Sequence, residues 1–325
     1  MKMRTGVVGL GKMGLVHTSI LSTFPNIQIV ALCDKSRLIN KFVNKNFNEI
    51  KIVNSVELLR DFDLDIIYIT TPIPSHFKIV EMVYSYDIAH NVFVEKTLAG
   101  TSTEAEKLCQ IAKQHHGANM VGYQKRYCVT FQKARELMNQ DVLGTLIRFK
   151  VYSYSSDFID LKKEEMGKVS ASRGGVLRDL GAHAISLALW YFGDLIPTLN
   201  RTEQRGGEDP NGSVRFDVEN VNGIKGHIET SWCKEGYRMP ETGLVIEGSK
   251  GILFVNDDKV KVESREGNVT TWYRQDLNDN VGFLLWTPEY YRENYHFIKC
   301  VTNDELPNPD FLEASKVDRI IERVT

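Results

Sequence analysis

The sequence predicts an α/β protein with a doubly wound parallel sheet in its first part, followed by an α+β part with an open, largely antiparallel sheet. Short β-branched runs alternate with amphipathic helical stretches as far as Gly122, and paired strand signals follow. The chain has 325 residues, 42% of them hydrophobic and 25% charged, which is enough for two cores. We therefore predict one domain over residues 1–122 and a second over residues 123–325.

Five runs in the first domain have the composition of buried strands, and helical spacing of apolar residues separates them. The predicted strands are Thr5–Gly9, Ile27–Cys33, Asp65–Thr70, Asn91–Glu95 and Asn119–Gly122. The predicted helices are near Met13–Phe24, Ser75–Tyr86 and Ser102–His116. This alternation is typical of βαβ units, in which the carboxyl ends of the strands meet at one edge.

The second domain contains strand patterns with turn signals between them. The predicted strands are Ile147–Tyr154, Gly223–Trp232, Gly243–Glu247 and Gly251–Val255, with turns at Asn222-Gly223 and Ser249-Lys250. The predicted helices are Asp179–Phe192 and Phe311–Val324. Segments 157–175 and 201–220 are polar and contain glycine, so we predict long loops of the kind that often bind ligands.

Composition excludes several classes of protein. Forty Lys and Arg residues against 42 Asp and Glu give a formal charge of −2, so there is no basic excess for nucleic acid. No segment approaches about 20 uninterrupted apolar residues, and we expect a soluble, cytoplasmic protein that does not associate with membranes. The five cysteines are scattered without a CxxC pair. They indicate neither a disulfide framework nor a metal site, and no metal is expected.

The run Gly9-Leu10-Gly11-Lys12-Met13-Gly14 is a GxGxxG motif between a predicted strand and a predicted helix. Gly9 permits a tight turn, Gly11 lets the backbone approach a pyrophosphate, and Gly14 allows close helix–strand packing. The alternative is a glycine-rich turn without a ligand. The motif predicts a nicotinamide dinucleotide site, with Lys12 and Met13 at the N-terminus of the helix beside the phosphates.

Asp34 ends the second predicted strand, at the distance from the glycines where an acidic residue binds the ribose hydroxyls of NAD. Its charge would repel the 2′-phosphate of NADP. Ser36 and Arg37 follow, and NADP is therefore an alternative, because these residues offer a hydroxyl and a cation to that phosphate. The alternative for Arg37 is a solvated surface cation. We therefore predict NAD, with NADP as the second possibility.

The third strand ends at Thr71-Pro72, and Ser75-His76 opens the next helix. This turn lies at the same carboxyl edge as the glycines, so we predict that Thr71, Pro72 and His76 contact the cofactor. The alternative is structural, with Pro72 shaping the turn and Ser75 capping the helix.

Two further segments carry candidate chemistry. Glu95-Lys96-Thr97 ends an apolar strand, and the run from Gly174-Gly175 through Arg178-Asp179 to Gly181-Ala182-His183 enters a helix. Together with the glycine motif, the Thr-Pro turn and Ile246–Gly251, their order resembles the Gfo/Idh/MocA family of glucose–fructose oxidoreductase and inositol dehydrogenase. The resemblance implies NAD(P)-dependent oxidoreduction of sugars, inositols or nucleotide sugars, and an open sheet that forms homodimer or homotetramer contacts.

The resemblance also implies site residues. Lys96, Asp179 and His183 match the family's catalytic lysine, aspartate and histidine, and Glu95 and Lys96 lie beside the cofactor. Thr97 stands where the family usually has proline, and this difference bears on the backbone that directs Lys96.

Oxidation of a secondary alcohol needs a proton acceptor at oxygen. We expect His183 to accept that proton, Lys96 to stabilise the negative charge on the oxygen, and Asp179 to orient the imidazole or a neighbouring hydroxyl. Lys96 as the base is the alternative. The structural alternatives are a helix cap for Asp179, a packed residue for His183 and a surface cation for Lys96.

Substrate contacts are predicted for those three residues and for Tyr123, Arg126 and Arg173. Tyr123, Lys125 and Arg126 follow the last strand of the first domain, and Arg173 precedes the glycine pair, where it offers a cation to a carboxylate or phosphate. Each has a structural or solvated alternative.

Three functions remain open on the sequence. The first is a sugar or polyol dehydrogenase with net cofactor turnover. The second is a hydrolase that holds NAD through an internal oxidation and elimination cycle. The third is a non-enzymatic cofactor sensor, against which the retained Lys96, Asp179 and His183 argue.

Overall fold

A computed structural model describes residues 2–46, 50–198, 212–280 and 287–325. The chain divides into two compact units. The first contains residues 1–123 and 281–318, and the second contains residues 124–280 and 319–325. This division differs from a single boundary near Gly122, because a late segment of the chain packs with the first unit.

The described strands alternate with helices at first and then follow one another directly. The strands are β1 (Met3–Val8), β2 (Ile27–Cys33), β3 (Lys51–Val53), β4 (Ile66–Ile69), β5 (Asn91–Glu95), β6 (Asn119–Gly122), β7 (Leu146–Tyr154), β8 (Leu195–Thr198), β9 (Ser213–Asn220), β10 (Lys225–Ser231), β11 (Glu241–Gly248), β12 (Gly251–Asn256), β13 (Lys259–Ser264) and β14 (Val269–Tyr273). The helices are α1 (Lys12–Leu21), α2 (Arg37–Asn46), α3 (His76–Ser85), α4 (Ser102–Gln114), α5 (Val129–Asn139), α6 (Lys163–Arg173), α7 (Ala182–Phe192), α8 (Glu289–Asn303) and α9 (Phe311–Val324).

The first unit is built on a parallel sheet with the described strand order β3-β2-β1-β4-β5-β6. The chain order reverses between β1 and β4, and in such sheets ligands bind at the carboxyl ends beside the reversal. Every residue of β4 is buried, as expected for a strand covered on both faces. The predicted doubly wound sheet is confirmed.

Helix α8 belongs to the first unit although it follows the second unit in the sequence. The Phe297 ring lies 5.8 Å from that of Tyr68 and 5.7 Å from that of Phe93, measured between ring centroids. The side chains of Tyr68, Phe93 and Phe297 are fully buried. Aromatic packing of this kind joins α8 to the core of the parallel sheet.

The second unit is built on a sheet with the described order β14-β13-β12-β11-β7-β10-β9-β8. Strands β7 and β10 are parallel, and the other pairs are antiparallel, so the predicted largely antiparallel sheet is confirmed. Helices α5 and α7 pack on one face. The opposite face carries partly exposed side chains along the strands, including Lys150, Tyr152, Glu229, Val245, Ile252 and Phe254.

Three predictions for the second unit need correction. The predicted loop 157–175 contains α6, which Gly174 ends with a φ of +76°. In the predicted loop 201–220, residues 213–220 form β9, and residues 201–211 lie outside the described residues. The helix predicted to begin at Asp179 begins instead as a π-helical turn, Leu177–Gly181, that continues into α7. Gly167 and the serines obscured α6, because such residues also favour loops.

No helix in the described parts of the chain combines the length and the apolar character needed to cross a bilayer.

Candidate active site

The glycine-rich turn lies where β1 passes into α1. Gly9 has a φ of +92°, a conformation that favours glycine, and a Cβ added there would lie 2.7 Å from the Thr71 side chain. A Cβ on Gly14 would lie 1.8 Å from the Gly9 carbonyl oxygen. Backbone packing therefore requires glycine at both positions.

Gly11 has the opposite environment, because a Cβ added there would meet no described atom within 4 Å. Gly11 is also the N-cap of α1 and has no side chain to cap it, and the first turn contains no acidic residue. The first intrahelical bond is donated by Leu15 N, so the N–H groups of Lys12, Met13 and Gly14 precede it. Open space above a helix N-terminus fits a pyrophosphate.

Asp34 follows β2, and two hydrogen bonds fix its carboxylate beside the glycine turn. Leu10 N donates to Oδ2 at 2.7 Å, and Ser36 N donates to Oδ1 at 2.8 Å. A carboxylate held in this position fits the hydroxyl groups of a ribose. Arg37 is exposed at the first residue of α2.

The turn after β4 is tied to the glycine turn by Thr70, whose Oγ1 donates to Gly9 O at 2.7 Å. Thr71 is partly buried and Pro72 is exposed. His76 is fully buried, and its ring nitrogens contact Thr97 O at 2.8 Å and Thr71 O at 2.7 Å. Burial lowers the pKa of His76, although hydrogen bonds to these carbonyls oppose this. His76 therefore links the backbone of the turn at Thr71 to the backbone at Thr97.

Lys96 directly follows the carboxyl end of β5. Its backbone N donates to Glu95 Oε2 at 3.1 Å, and the Lys96–Thr97 peptide is cis. The other carboxylate oxygen of Glu95, Oε1, lies 2.9 Å from His17 Nε2. Glu95 is buried while Lys96 is partly exposed. Glu95 therefore contacts both the buried His17 ring and the backbone of Lys96, the candidate catalytic residue.

The carboxyl edge of the parallel sheet presents these groups in a spatial order. Asp34 follows β2, the glycine turn follows β1, the Thr71 turn follows β4 and Lys96 follows β5. Neighbouring strands are about 4.8 Å apart, so roughly 14 Å separates the ends of β2 and β5. Tyr123 comes after β6 and is fully buried.

In the second unit, Asp179 lies on the π-helical turn that precedes α7. Its Oδ2 accepts hydrogen bonds from Arg173 Nη1 at 2.9 Å and from Trp232 Nε1 at 3.2 Å. Single π-helical turns occur often at functional sites. Asp179 does not cap α7, because helical structure already begins at Leu177. The carboxylate is therefore positioned by two donors from separate elements.

Aromatic side chains surround the donors to Asp179. The Arg173 guanidinium lies 5.0 Å from the centroid of the Phe158 ring, and that ring meets Trp232 edge to face at 5.4 Å. Trp232 is 1% exposed. Sequence reasoning missed Phe158 and Trp232 because their contacts to Arg173 and Asp179 join residues distant in the chain.

His183 lies in the first turn of α7 and is 8% exposed, four residues after Asp179. Arg126 is 2% exposed, and its guanidinium donates to Ser186 Oγ at 2.9 Å and to Ser186 O at 3.1 Å. Lys125 Nζ forms an ion pair with Asp257 Oδ1 at 2.7 Å. The positions of Arg126 and Lys125 favour their structural alternatives.

The parallel sheet and the glycine turn at its point of reversal define a dinucleotide-binding protein. Residues 3–123 match the profile described as "Oxidoreductase family, NAD-binding Rossmann fold", and residues 131–254 match the GFO/IDH/MocA C-terminal domain. The chain belongs to the GFO/IDH/MocA oxidoreductase family. It is an NAD-binding dehydrogenase, and the resemblance inferred from the order of its motifs is confirmed.

Two curated relatives share less than a quarter of their aligned residues with this chain. The chain is 22% identical to a myo-inositol 2-dehydrogenase of Thermotoga maritima over 320 residues, which are 94% of this chain and 90% of that protein. It is 24% identical to the uncharacterized oxidoreductase YrbE of Bacillus subtilis over 190 residues, which are 58% of this chain and only 53% of that protein.

The fold is shared with a levoglucosan dehydrogenase solved in complex with NADH and levoglucosan. The TM-score is 0.84 at 17% identity, over 100% of this chain and 96% of that chain. At this identity the likeness concerns the fold.

Proposed function

We propose that the protein transfers a hydride between NAD and a secondary alcohol of a sugar, an inositol or a nucleotide-linked sugar. The order of groups along the carboxyl edge of the parallel sheet carries this proposal. Asp34 follows β2, the glycine turn follows β1 and Lys96 follows β5, with β4 between the last two. This is the order in which an extended dinucleotide would meet them from its adenosine end. Lys96 then lies toward the nicotinamide end.

Bound NAD supplies the hydride acceptor for alcohol oxidation. Asp34 binds the ribose hydroxyls, and the N-terminus of α1 with Gly11 faces the pyrophosphate. Lys96 places a cation toward the reacting oxygen, where it stabilises negative charge. His183 accepts the hydroxyl proton. Asp179, fixed by Arg173 and Trp232, grips a neighbouring hydroxyl or orients the imidazole.

Asp34 favours NAD over NADP. Its two carboxylate oxygens each accept a backbone N–H, which holds the negative charge at the end of β2. A 2′-phosphate at this position would be repelled, whereas ribose hydroxyls donate to the carboxylate. Arg37 is the residue that would admit NADP.

The relatives support a neutral polyhydroxylated ring as substrate. One is named a myo-inositol dehydrogenase, and the structural neighbour was solved with levoglucosan. The first experiment is a panel of sugars, inositols, uronic acids and nucleotide sugars, offered separately with NAD and NADP, with NADH or NADPH absorbance as the readout. A substrate-dependent rise, larger with NAD, is expected.

Absence of any rise, with NAD retained in the purified protein, would contradict net dehydrogenation. Release of product from a glycoside without net NADH would then indicate the internal redox hydrolase. NAD binding with neither reaction would indicate the sensor.

Replacement of the candidate catalytic lysine tests its role. We expect Lys96→Met to lower kcat by about 10²–10⁴-fold and to change the Kd of NAD by less than about threefold, because the ammonium acts at the reacting oxygen. Lys113→Met, at an exposed position on α4, is the control and should leave both values unchanged. Full turnover in Lys96→Met would remove Lys96 from the chemistry. If His183→Asn kept most of its turnover while Lys96→Met lost it, the base would be Lys96.

A further inference from the structure

A buried chain of hydrogen bonds leads from α8 through α1 to the Lys96 peptide. Asn294 Oδ1 lies 3.1 Å from His17 Nδ1, and His17 Nε2 lies 2.9 Å from Glu95 Oε1. Glu95 Oε2 accepts from Lys96 N at 3.1 Å. His17 and Asn294 are fully buried. The chain joins three elements of the first unit at the end of β5.

The donors and acceptors in this chain follow from Asn294. Its Nδ2 donates to Tyr290 O at 2.7 Å, so its Oδ1 is the atom that faces His17. An amide oxygen only accepts, so His17 Nδ1 carries a proton and donates it. The contact from Nε2 to Glu95 also needs one proton, which belongs either to an imidazolium or to a carboxylic acid. In both states the His17–Glu95 pair has no net charge and is joined by one hydrogen bond.

Aromatic rings enclose His17 and shield this contact from water. The ring centroids of Tyr68, Phe93 and Tyr290 lie 5.6, 5.1 and 6.0 Å from that of His17. Hydrogen bonds strengthen where the local dielectric is low. Glu293 is buried nearby, and burial raises its pKa well above the ordinary value, which favours its uncharged form.

We propose that His17 and Asn294 are positioning residues that act through Glu95 to fix the Lys96 peptide at the carboxyl edge of the sheet. This inference rests on the proposed role of Lys96. His17 lies three residues after Gly14, on the helix whose N-terminus faces the pyrophosphate. One rigid helix therefore positions both the cofactor and the peptide of the candidate catalytic residue.

Two substitutions at His17 separate its contacts. The amide nitrogen of glutamine reaches the place of Nε2, and that of asparagine reaches only the place of Nδ1. His17→Gln therefore keeps the donor to Glu95, while His17→Asn loses it. Both variants remove the imidazole ring, and both are expected to leave one buried polar group without a hydrogen bond. Their general cost in folding stability should therefore be similar.

The first readout needs no substrate. Hydrogen exchange at the Lys96 amide, resolved by fragmentation mass spectrometry, should be about tenfold or more faster in His17→Asn, because Glu95 loses its anchor. His17→Gln should stay within about threefold of the wild type. With the substrate found in the panel, kcat should fall about tenfold or more in His17→Asn only, and the Kd of NAD should stay within about threefold in both.

Equal exchange at Lys96 in the two variants would overturn the proposal. Should neither variant give a cooperative thermal unfolding transition, Asn294→Asp and Asn294→Leu replace them: the aspartate keeps an acceptor for His17 Nδ1 and the leucine removes it. Faster exchange only in Asn294→Leu would support the proposal, and equal exchange would overturn it. The proposed function fails separately, when Lys96→Met retains its turnover.

Discussion

Glu293 carries a buried carboxyl group for which the described residues provide no hydrogen-bond partner. It is fully buried on α8, and neither of its carboxylate oxygens has a hydrogen-bond partner among the described residues. Burial, followed by the charges of Glu95 and Glu289, raises the pKa of Glu293 well above its ordinary value of 4.5. Burial therefore favours the protonated form of this carboxyl group.

Glu293→Gln should stabilise the protein at alkaline pH. Because the pKa of Glu293 is raised in the folded state, the wild type has its full stability below the unfolded pKa near 4.5 and loses part of it as pH rises toward the folded pKa. Glutamine does not titrate. The gain in the free energy of unfolding should grow by up to about 1.4 kcal/mol per pH unit between pH 5 and pH 8, measured by urea denaturation. Glu81→Gln, exposed on α3, should show no such growth.

Single residues differ in how far the sequence alone could assign them. The three glycines and Asp34 could be proposed from the sequence because their spacing falls within the first 34 residues, in one strand–helix–strand unit. His17 was not assigned, since its partners Glu95 and Asn294 are 78 and 277 residues away. No local sequence pattern distinguishes a histidine that hydrogen-bonds to a site residue from one that only fills the core.

At the scale of elements, the β1–α1 turn separates two kinds of glycine. Gly14 is required by the fold, since its Cβ would overlap the Gly9 carbonyl, whereas Gly11 faces open space with φ −68° and ψ −169°, which alanine can adopt. The same motif thus contains one position for packing and one for the ligand.

Alanine at the two positions should give opposite phenotypes. Gly11→Ala should change the free energy of unfolding by less than about 0.5 kcal/mol, and raise the Kd of NAD about tenfold or more, because the methyl group occupies the space over the helix N-terminus. Gly14→Ala should lose about 2–4 kcal/mol of stability. Calorimetric titration with NAD and urea denaturation measure both values. Unchanged NAD binding in Gly11→Ala would contradict the proposed pyrophosphate position.

Elements with strong periodicity were predicted well. Strands β2, β5 and β6 have the predicted bounds because apolar residues fill them, and α9 because its apolar spacing is helical. Strand β9 was missed although Val214, Phe216 and Val218 alternate, because acidic residues and Asn220 made the segment resemble a loop. Such half-buried strands obtain their stability from neighbours that a local pattern does not show.

At the scale of the whole molecule, the second sheet offers a face for association. Between the charged groups of this face, such as the Lys150–Glu229 ion pair at 2.8 Å, lie the partly exposed Val245, Ile252 and Phe254. Partly apolar faces of this kind favour contacts between subunits. We propose a homodimer or homotetramer formed through this face.

Ile252→Asp should weaken the assembly. Light scattering after size exclusion should give a dimer or tetramer for the wild type and smaller particles for the variant, because a buried unpaired carboxylate is costly at an interface. Val221→Asp, in the exposed β9–β10 turn, is the control and should leave the assembly unchanged. A monomeric wild type would refute the proposal.

The packing of α8 also matters during synthesis on the ribosome. Tyr68 and Phe93 are translated early, yet their partner Phe297 emerges only after residues 124–280 of the second unit have been made. Until then the Tyr68 and Phe93 rings lack this partner, and we expect the apolar surface that they leave exposed to be prone to aggregation. A gene fragment that ends at residue 123 would therefore encode an incomplete first unit, in which Glu95 and His17 are present and Asn294 is absent.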